Sequence, residues 1–253
     1  MNKLINKRNI LIILIALLII LGILGFYFKN KLFPNKIITQ TQIINTGAVN
    51  ELITKNYKKE FHHLDLRSKN LGTMPDICKM VIGTNYEYDI WSLDLADNEI
   101  VEIDKDLGCL KNLSELYLSF NKITEIKNLE GLTFLKKLDL GNNEIKEISG
   151  LDTLVNLVDL HLGYNQIIST TGLEKLVNLT SLQLQSNKLE DISNLSNLTK
   201  LETLKLEFNK LDNEDIKIID KLKALKIITV GENPQVDKKT IDKLNELSRK
   251  NMK

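Results

Sequence analysis

Three histidines and two cysteines are the side chains of this sequence that most often perform catalysis or bind metals. His62 and His63 are adjacent, and neither they nor His161 belong to an H-E-x-x-H sequence. The chain contains no G-x-G-x-x-G, G-x-x-x-x-G-K-[ST] or G-x-S-x-G sequence, and no histidine or Cys-x-x-Cys pair at metal-ligand spacing. We therefore expect no enzyme activity, no catalytic residue, no metal and no cofactor.

A pattern of 22 residues recurs over residues 61–233 and must position any functional side chain. The frame L-x-x-L-x-L-x-x-N ends in asparagine at regular steps, at Asn121, Asn143, Asn165, Asn187 and Asn209. A fixed period of this length is typical of solenoids, and this frame is that of leucine-rich repeats. We predict an α/β solenoid, a leucine-rich-repeat horseshoe of about eight coils with a parallel concave sheet and helical caps.

Each repeat combines two apolar periods. Leu116 and Leu118 flank Tyr117, and this period of two predicts a short strand. After the asparagine, apolar residues recur at every third position, as in Ile123 and Ile126, which favours 3₁₀ turns or extended chain over an α-helix. The asparagine side chains are expected to bond the backbone of successive coils.

The strand positions that point away from the core predict a recognition surface, the concave face. Eight strands about 4.8 Å apart make it roughly 35 Å long, the size of a protein interface. The candidate partner-binding residues are Tyr117, Phe120, Asp139, Asp159, His161, Tyr164, Gln183, Lys205 and Phe208. Two alternatives stay open, since Phe120 and Phe208 could pack along the rim and the acidic residues could form a solvated face.

The two cysteines, Cys78 and Cys109, fall on the return paths of successive coils. Neighbouring coils lie about 5 Å apart, within the Cα separation of a disulfide. A bridge between them and two unrelated thiols are both compatible with the sequence.

The amino-terminal residues predict a membrane anchor. Residues 10–28 are 19 uncharged residues that would span about 28 Å as a helix, close to the thickness of the hydrocarbon core. A cleaved signal peptide is the alternative. If the chain crosses the membrane once, residues 1–9 form a cytoplasmic tail, residues 10–28 form a transmembrane helix in the lipid bilayer, and residues 29–46 form a stalk. It leaves the repeats outside the cytoplasm, at the cell surface.

Two segments at the ends of the solenoid have helical periodicity. Residues 47–60 carry Val49, Leu52 and Tyr57 on one face and predict an amino-terminal cap helix. Residues 234–253 carry Ile241 and Leu244 at helical spacing and predict a carboxyl-terminal cap. The repeats lie between these two caps, over residues 61–233.

The charge balance bears on the class of partner. The chain has 34 basic and 33 acidic residues, a net charge of +1. A nucleic-acid surface usually needs a basic excess, so we expect no nucleic-acid partner.

The repeats resemble those of one known family. The stretch NKITEIKNLEGLTFLKKLDLGNNEIKEISGLDTLVNLVDLHLGYN is similar to the 22-residue repeats of bacterial internalins. The resemblance implies a right-handed solenoid used for protein recognition. We expect a membrane-anchored module that binds a protein ligand through its concave face. The alternatives are a carbohydrate-binding adhesin and a scaffold that regulates an enzyme in trans.

Overall fold

The parallel sheet is the part of the fold that presents the candidate residues. The computed structural model describes residues 55–78, 90–103 and 105–251. In these residues nine strands form one sheet in sequence order. They are β1 (Tyr57–Lys58), β2 (His63–Asp65), β3 (Ser92–Asp94), β4 (Glu115–Tyr117), β5 (Lys137–Asp139), β6 (Asp159–His161), β7 (Ser181–Gln183), β8 (Thr203–Lys205) and β9 (Ile227–Thr229). Strands β2 to β9 pair in parallel, with repeat-equivalent residues opposite each other, which confirms the predicted leucine-rich-repeat solenoid.

The core lies between the strands and the return paths. The central leucine of each strand from β2 to β8, such as Leu138 in β5, is fully buried, while the residues on either side are mostly half-buried. The return paths contain 3₁₀ helices at Lys105–Cys109, Ser193–Asn197 and Lys217–Lys221, and a further 3₁₀ helix, Lys59–Phe61, connects β1 to β2. Elsewhere they contain single turns in which Leu132 and Leu135 donate to carbonyls three residues earlier. The period of three therefore reflects 3₁₀ turns in these segments, one of the two predicted alternatives.

An asparagine ladder joins the coils in the core. Asn165 Nδ2 donates to the carbonyls of Leu162, 3.1 Å away in its own coil, and Leu140, 2.9 Å away in the preceding coil. Its Oδ1 accepts from the Ile145 N–H at 3.0 Å. Asn98, Asn121, Asn143, Asn187, Asn209 and Asn233 are buried in equivalent positions. The predicted structural role of these side chains is confirmed.

The amino-terminal end of the sheet differs from the prediction. Residues 47–54 lie outside the described residues, and the predicted cap helix does not extend through residue 60, because β1 occupies residues 57 and 58. Tyr57 pairs antiparallel with Leu64, and Lys58 pairs with His63. This pairing satisfies backbone groups at the edge of β2, a requirement that helical periodicity in the sequence does not reveal.

The carboxyl-terminal end is covered by helices. Helix α1 (Asn213–Ile216) begins after Asp212, whose side chain accepts from the N–H groups of Glu214 and Asp215. Helix α2 (Lys238–Asn251) buries Leu244, and Ser248 Oγ accepts from the Ile228 N–H at 3.0 Å. These contacts cover the exposed edge of the last coil.

Cys78 and Cys109 form a disulfide, with their Cα atoms 5.7 Å apart. The bridge joins the return paths of two successive coils, as the coil spacing allows.

The membrane-span hypothesis for residues 10–28 falls outside the described residues. In the described ranges from residue 55 onward, no helix has the length and apolar character needed to cross a bilayer.

Candidate functional site

Side chains on the concave face contact one another from coil to coil. The Tyr117 hydroxyl donates to Glu115 at 3.0 Å, and Ser92 donates to the same carboxylate at 3.3 Å. Lys137 Nζ lies 5.2 Å from the centre of the Tyr117 ring and 3.7 Å from Asp159 Oδ2. These contacts order the polar side chains around Tyr117 before any partner arrives, which lowers the entropic cost of binding.

A second cluster is centred on His161. Its Nδ1 lies 3.0 Å from Asp139 Oδ1, and its Nε2 lies 3.4 Å from Gln185 Nε2. The ring packs over Gly141, where a Cβ atom would approach within 2.6 Å of His161 Cε1. A glycine in the preceding coil is therefore what allows the imidazole to occupy this position.

The environment shifts the pKa of two of these groups. Burial, together with the hydrogen bond to Glu115, raises the pKa of Tyr117, so the phenol stays neutral and remains a donor. Burial also opposes ionisation of Asp139, but hydrogen bonds from His161, the Gly141 N–H and Ser119 outweigh it and lower its pKa. Asp139 is thus held as a carboxylate.

We expect Asp139→Asn to lower the free energy of unfolding at neutral pH by about 1–2 kcal/mol, because charge-assisted hydrogen bonds are replaced by neutral ones. The pKa of Asp139 is lower in the folded chain, so its stabilising contribution is complete above the unfolded pKa of about 4. It is lost as the pH falls through the folded value. Urea unfolding of both proteins at pH 7 and pH 3 tests this, and a difference that does not shrink in acid would count against it.

Three exposed aromatic residues occupy a left-handed backbone position that recurs in every coil, where the equivalent residues include Asp97, Asn142, Ser186 and Glu232. Phe120, Tyr164 and Phe208 directly precede the ladder asparagines of every second coil, and their φ angles are 56°, 59° and 58°. Their exposed fractions are 59%, 52% and 56%. This left-handed region favours glycine and asparagine, and bulky residues occupy it only at a cost. Their N–H groups donate to carbonyls of the next coil, which holds the turn in place.

The structure separates the predicted residues into two groups. Tyr117, Asp139, Asp159, His161, Gln183 and Lys205 lie half-buried on the sheet, whereas Phe120, Tyr164 and Phe208 are exposed at its margin. Lys205 Nζ donates to Gln183 Oε1 at 3.3 Å, so these two form a pair of their own.

Three members of the site, Glu115, Lys137 and Gln185, were not among the candidate partner-binding residues. Glu115 and Lys137 begin their strands and point to the same side as Tyr117 and Asp139, so the period of two already indicated them. Gln185 lies beyond the strand, where that period no longer applies. In the described residues, Asp159 Oδ1 and Gln185 Oε1 are buried acceptors without a hydrogen-bond partner.

Comparison with known proteins agrees with this architecture. The family model for leucine-rich repeats in two copies matches residues 92–131 and 133–175. No curated protein sequence matches the chain significantly.

Solved structures of bacterial proteins are similar to the chain. An internalin, InlF, of Listeria monocytogenes has a TM-score of 0.63 and 29% identity, with 79% of this chain and 62% of that chain covered. Internalin C2 of the same species has a TM-score of 0.66 and 26% identity, with 78% and 88% covered. A leucine-rich-repeat protein of Leptospira interrogans has a TM-score of 0.60 and 30% identity, with 74% and 53% covered.

The alignment thus spans less than two thirds of the InlF structure. Leucine-rich repeats of this kind are protein-interaction modules, with an extended surface formed by the stacked strands. The repeat period, the parallel sheet, the family model and the similar structures agree: the chain is a leucine-rich-repeat protein with 22-residue repeats of the bacterial, internalin-like kind.

Proposed function

We propose that the protein is a membrane-anchored, non-enzymatic recognition module that binds a protein partner through its concave face. The observation that carries this proposal is the placement of Phe120, Tyr164 and Phe208. These large apolar side chains are exposed in a backbone conformation that smaller residues would adopt at lower cost. Their position is not explained by core packing, and exposed aromatics dominate the energetics of protein interfaces.

The neighbouring polar residues suit a protein partner. The pre-ordered pairs Glu115–Tyr117 and Asp139–His161 present fixed donors and acceptors beside the aromatic column. Apolar anchors surrounded by oriented polar groups are the arrangement seen in specific interfaces.

Substitution of one aromatic tests the proposed face. We expect Tyr164→Asn to weaken partner binding about 30-fold, since a hot-spot residue contributes about 2 kcal/mol. The same change should raise the free energy of unfolding by about 1 kcal/mol, because asparagine tolerates a positive φ. The measurement is affinity by surface plasmon resonance, with stability measured by urea unfolding.

Phe134→Asn is the matched control, because Phe134 is 62% exposed but lies outside the concave face. Its substitution should leave the affinity unchanged. Equal affinities for the wild type and Tyr164→Asn would overturn the proposed face. A ligand whose binding is lost after enzymatic removal of its glycans would favour the carbohydrate-binding adhesin, with Tyr117, Tyr164 and His161 contacting the sugar.

The proposed location is the outer side of a membrane, with residues 10–28 as an uncleaved anchor. The Cys78–Cys109 disulfide supports this side, because such bonds persist in oxidising compartments. We expect protease added to intact cells to remove the repeats, and the membrane-bound fragment to retain residues 10–28 by mass spectrometry. If the protease cleaves the repeats only after the cells are lysed, the repeats lie inside the cell. That result would favour the regulatory scaffold.

A further inference from the structure

A second surface lies on the flank of the solenoid, outside the concave face. We define the entry strip as the four residues that precede each of the strands β4 to β9, together with Trp91, which precedes β3. Its members stack on one another, since Lys136 N–H donates to Ser114 O and Val158 N–H donates to Lys136 O, both at 2.8 Å. The strip is therefore a continuous surface along the coils.

The entry strip exposes large apolar side chains that the core does not use. Trp91, Phe134, Val155, Val158 and Val177 are 51%, 62%, 45%, 37% and 44% exposed. Val155 and Val177 occupy equivalent positions in adjacent coils, and the Asn178 side chain ties their segments together by donating to the Val155 carbonyl at 2.8 Å. The strip thus exposes apolar side chains on three successive coils, those of β5 to β7, and on Trp91 two coils away from β5. Exposed apolar side chains grouped on one surface mark a contact with a partner or a membrane.

The same strip is basic. It contains Lys111, Lys136, Lys200, Lys223 and Lys226, and its acidic residue, Glu202, is paired with Lys226 at 2.8 Å. The opposite flank is the exit strip, the four residues that follow each ladder asparagine from Asn98 to Asn209. The exit strip contains eight acidic residues and four lysines, and no aromatic residue. A chain with a net charge of only +1 thus carries opposite charge on its two flanks.

This combination selects one kind of occupant. Lysine is depleted in protein–protein interfaces, where its charge must be desolvated. At a bilayer surface, lysine lays its apolar stem along the interface and keeps its charge in water, beside anionic headgroups. Tryptophan is enriched at the same depth. We infer that the entry strip docks on the surface of an anionic lipid bilayer.

The docked orientation is compatible with recognition by the concave face. The strands begin at the entry strip and run towards the exit strip, so the acidic exit strip points away from the anionic lipid. The concave face stays open to a partner beside the membrane. The proposed anchor at residues 10–28 would keep the domain near the bilayer, because residues 29–54 are long enough to reach it.

Trp91 provides the test, because it is the chain's only tryptophan. The full-length protein is reconstituted into vesicles of brominated phosphatidylcholine, with or without phosphatidylglycerol. We expect Trp91 fluorescence to be quenched and shifted to shorter wavelength in the anionic vesicles, and to recover at high salt. The double variant Lys111→Glu, Lys136→Glu should weaken docking on the order of 30-fold or more. A loss of 1.4 kcal/mol in binding free energy corresponds to roughly tenfold in affinity.

Lys146→Glu combined with Lys188→Glu is the matched control, since it makes the same charge change on the exit strip. The inference is overturned if Trp91 is equally quenched in neutral vesicles, is not quenched at all, or responds equally to both double variants. A response to soluble polyphosphate without one to vesicles also overturns it. Alkaline carbonate extraction tests the anchor separately, because an extractable protein can still dock through the strip at low salt.

Discussion

Asn165→Ala is expected to lower the free energy of unfolding by about 3–5 kcal/mol, because buried polar groups left without partners each cost about 1–3 kcal/mol. The Asn165 amide donates to three carbonyls in two coils and accepts from the Ile145 N–H. Alanine would leave that N–H and those carbonyls without their hydrogen bonds to the side chain. Water cannot easily replace these bonds, because Asn165 is only 9% exposed. Urea unfolding followed by circular dichroism measures the loss.

Asn156→Ala is the matched control, because Asn156 also joins two coils but is exposed. Its Nδ2 donates to the Thr133 carbonyl at 2.9 Å, where water can replace it. We expect a loss of at most about 1 kcal/mol. Similar losses for the two variants would contradict the role assigned to the buried ladder.

Gly172→Ala is the second substitution expected to destabilise the fold strongly. A Cβ atom at this position would lie 2.2 Å from the carbonyl oxygen of Ile148 in the preceding coil, and the φ angle is +100°. Overpacking and backbone strain each cost about 1–3 kcal/mol, so we expect a combined loss of about 3–5 kcal/mol. The change should also lower the thermal midpoint.

Gly231→Ala supplies the comparison, because a Cβ atom at Gly231 would have no neighbour within 4 Å and its φ is not positive. The expected change is within about 0.5 kcal/mol. If Gly172→Ala were as mild as Gly231→Ala, the close approach of adjacent coils at Gly172 would be disproved.

The fold was predictable because its determinants repeat. A single leucine in a strand says little, but Leu116, Leu138 and Leu160 recur at the same offset from an asparagine, and stacking is then the way to bury them all. The period of three after each asparagine predicted 3₁₀ turns for the same reason. The amino-terminal cap was harder, because its pairing depends on the edge of β2 and has no repeat to indicate it.

The candidate site was predictable only in part. The period of two identifies residues that leave the core, including Tyr117 and His161, but it does not say which neighbours they contact. The left-handed φ of Tyr164 is not indicated by its own residue type, since tyrosine rarely adopts it, although Asn142 at the equivalent position of the preceding coil is of a type that favours it. The packing of His161 over Gly141 joins residues 20 positions apart and depends on the register of two coils.

Photo-crosslinking from the concave face tests the proposed function most directly. The full-length protein carries p-benzoylphenylalanine in place of Tyr164, and a second version carries it in place of Ile168, which is 54% exposed on the exit strip. After irradiation on cells in the presence of extracellular proteins, we predict a protein adduct from position 164 and none from position 168. Adducts from position 168 alone would contradict recognition through the concave face.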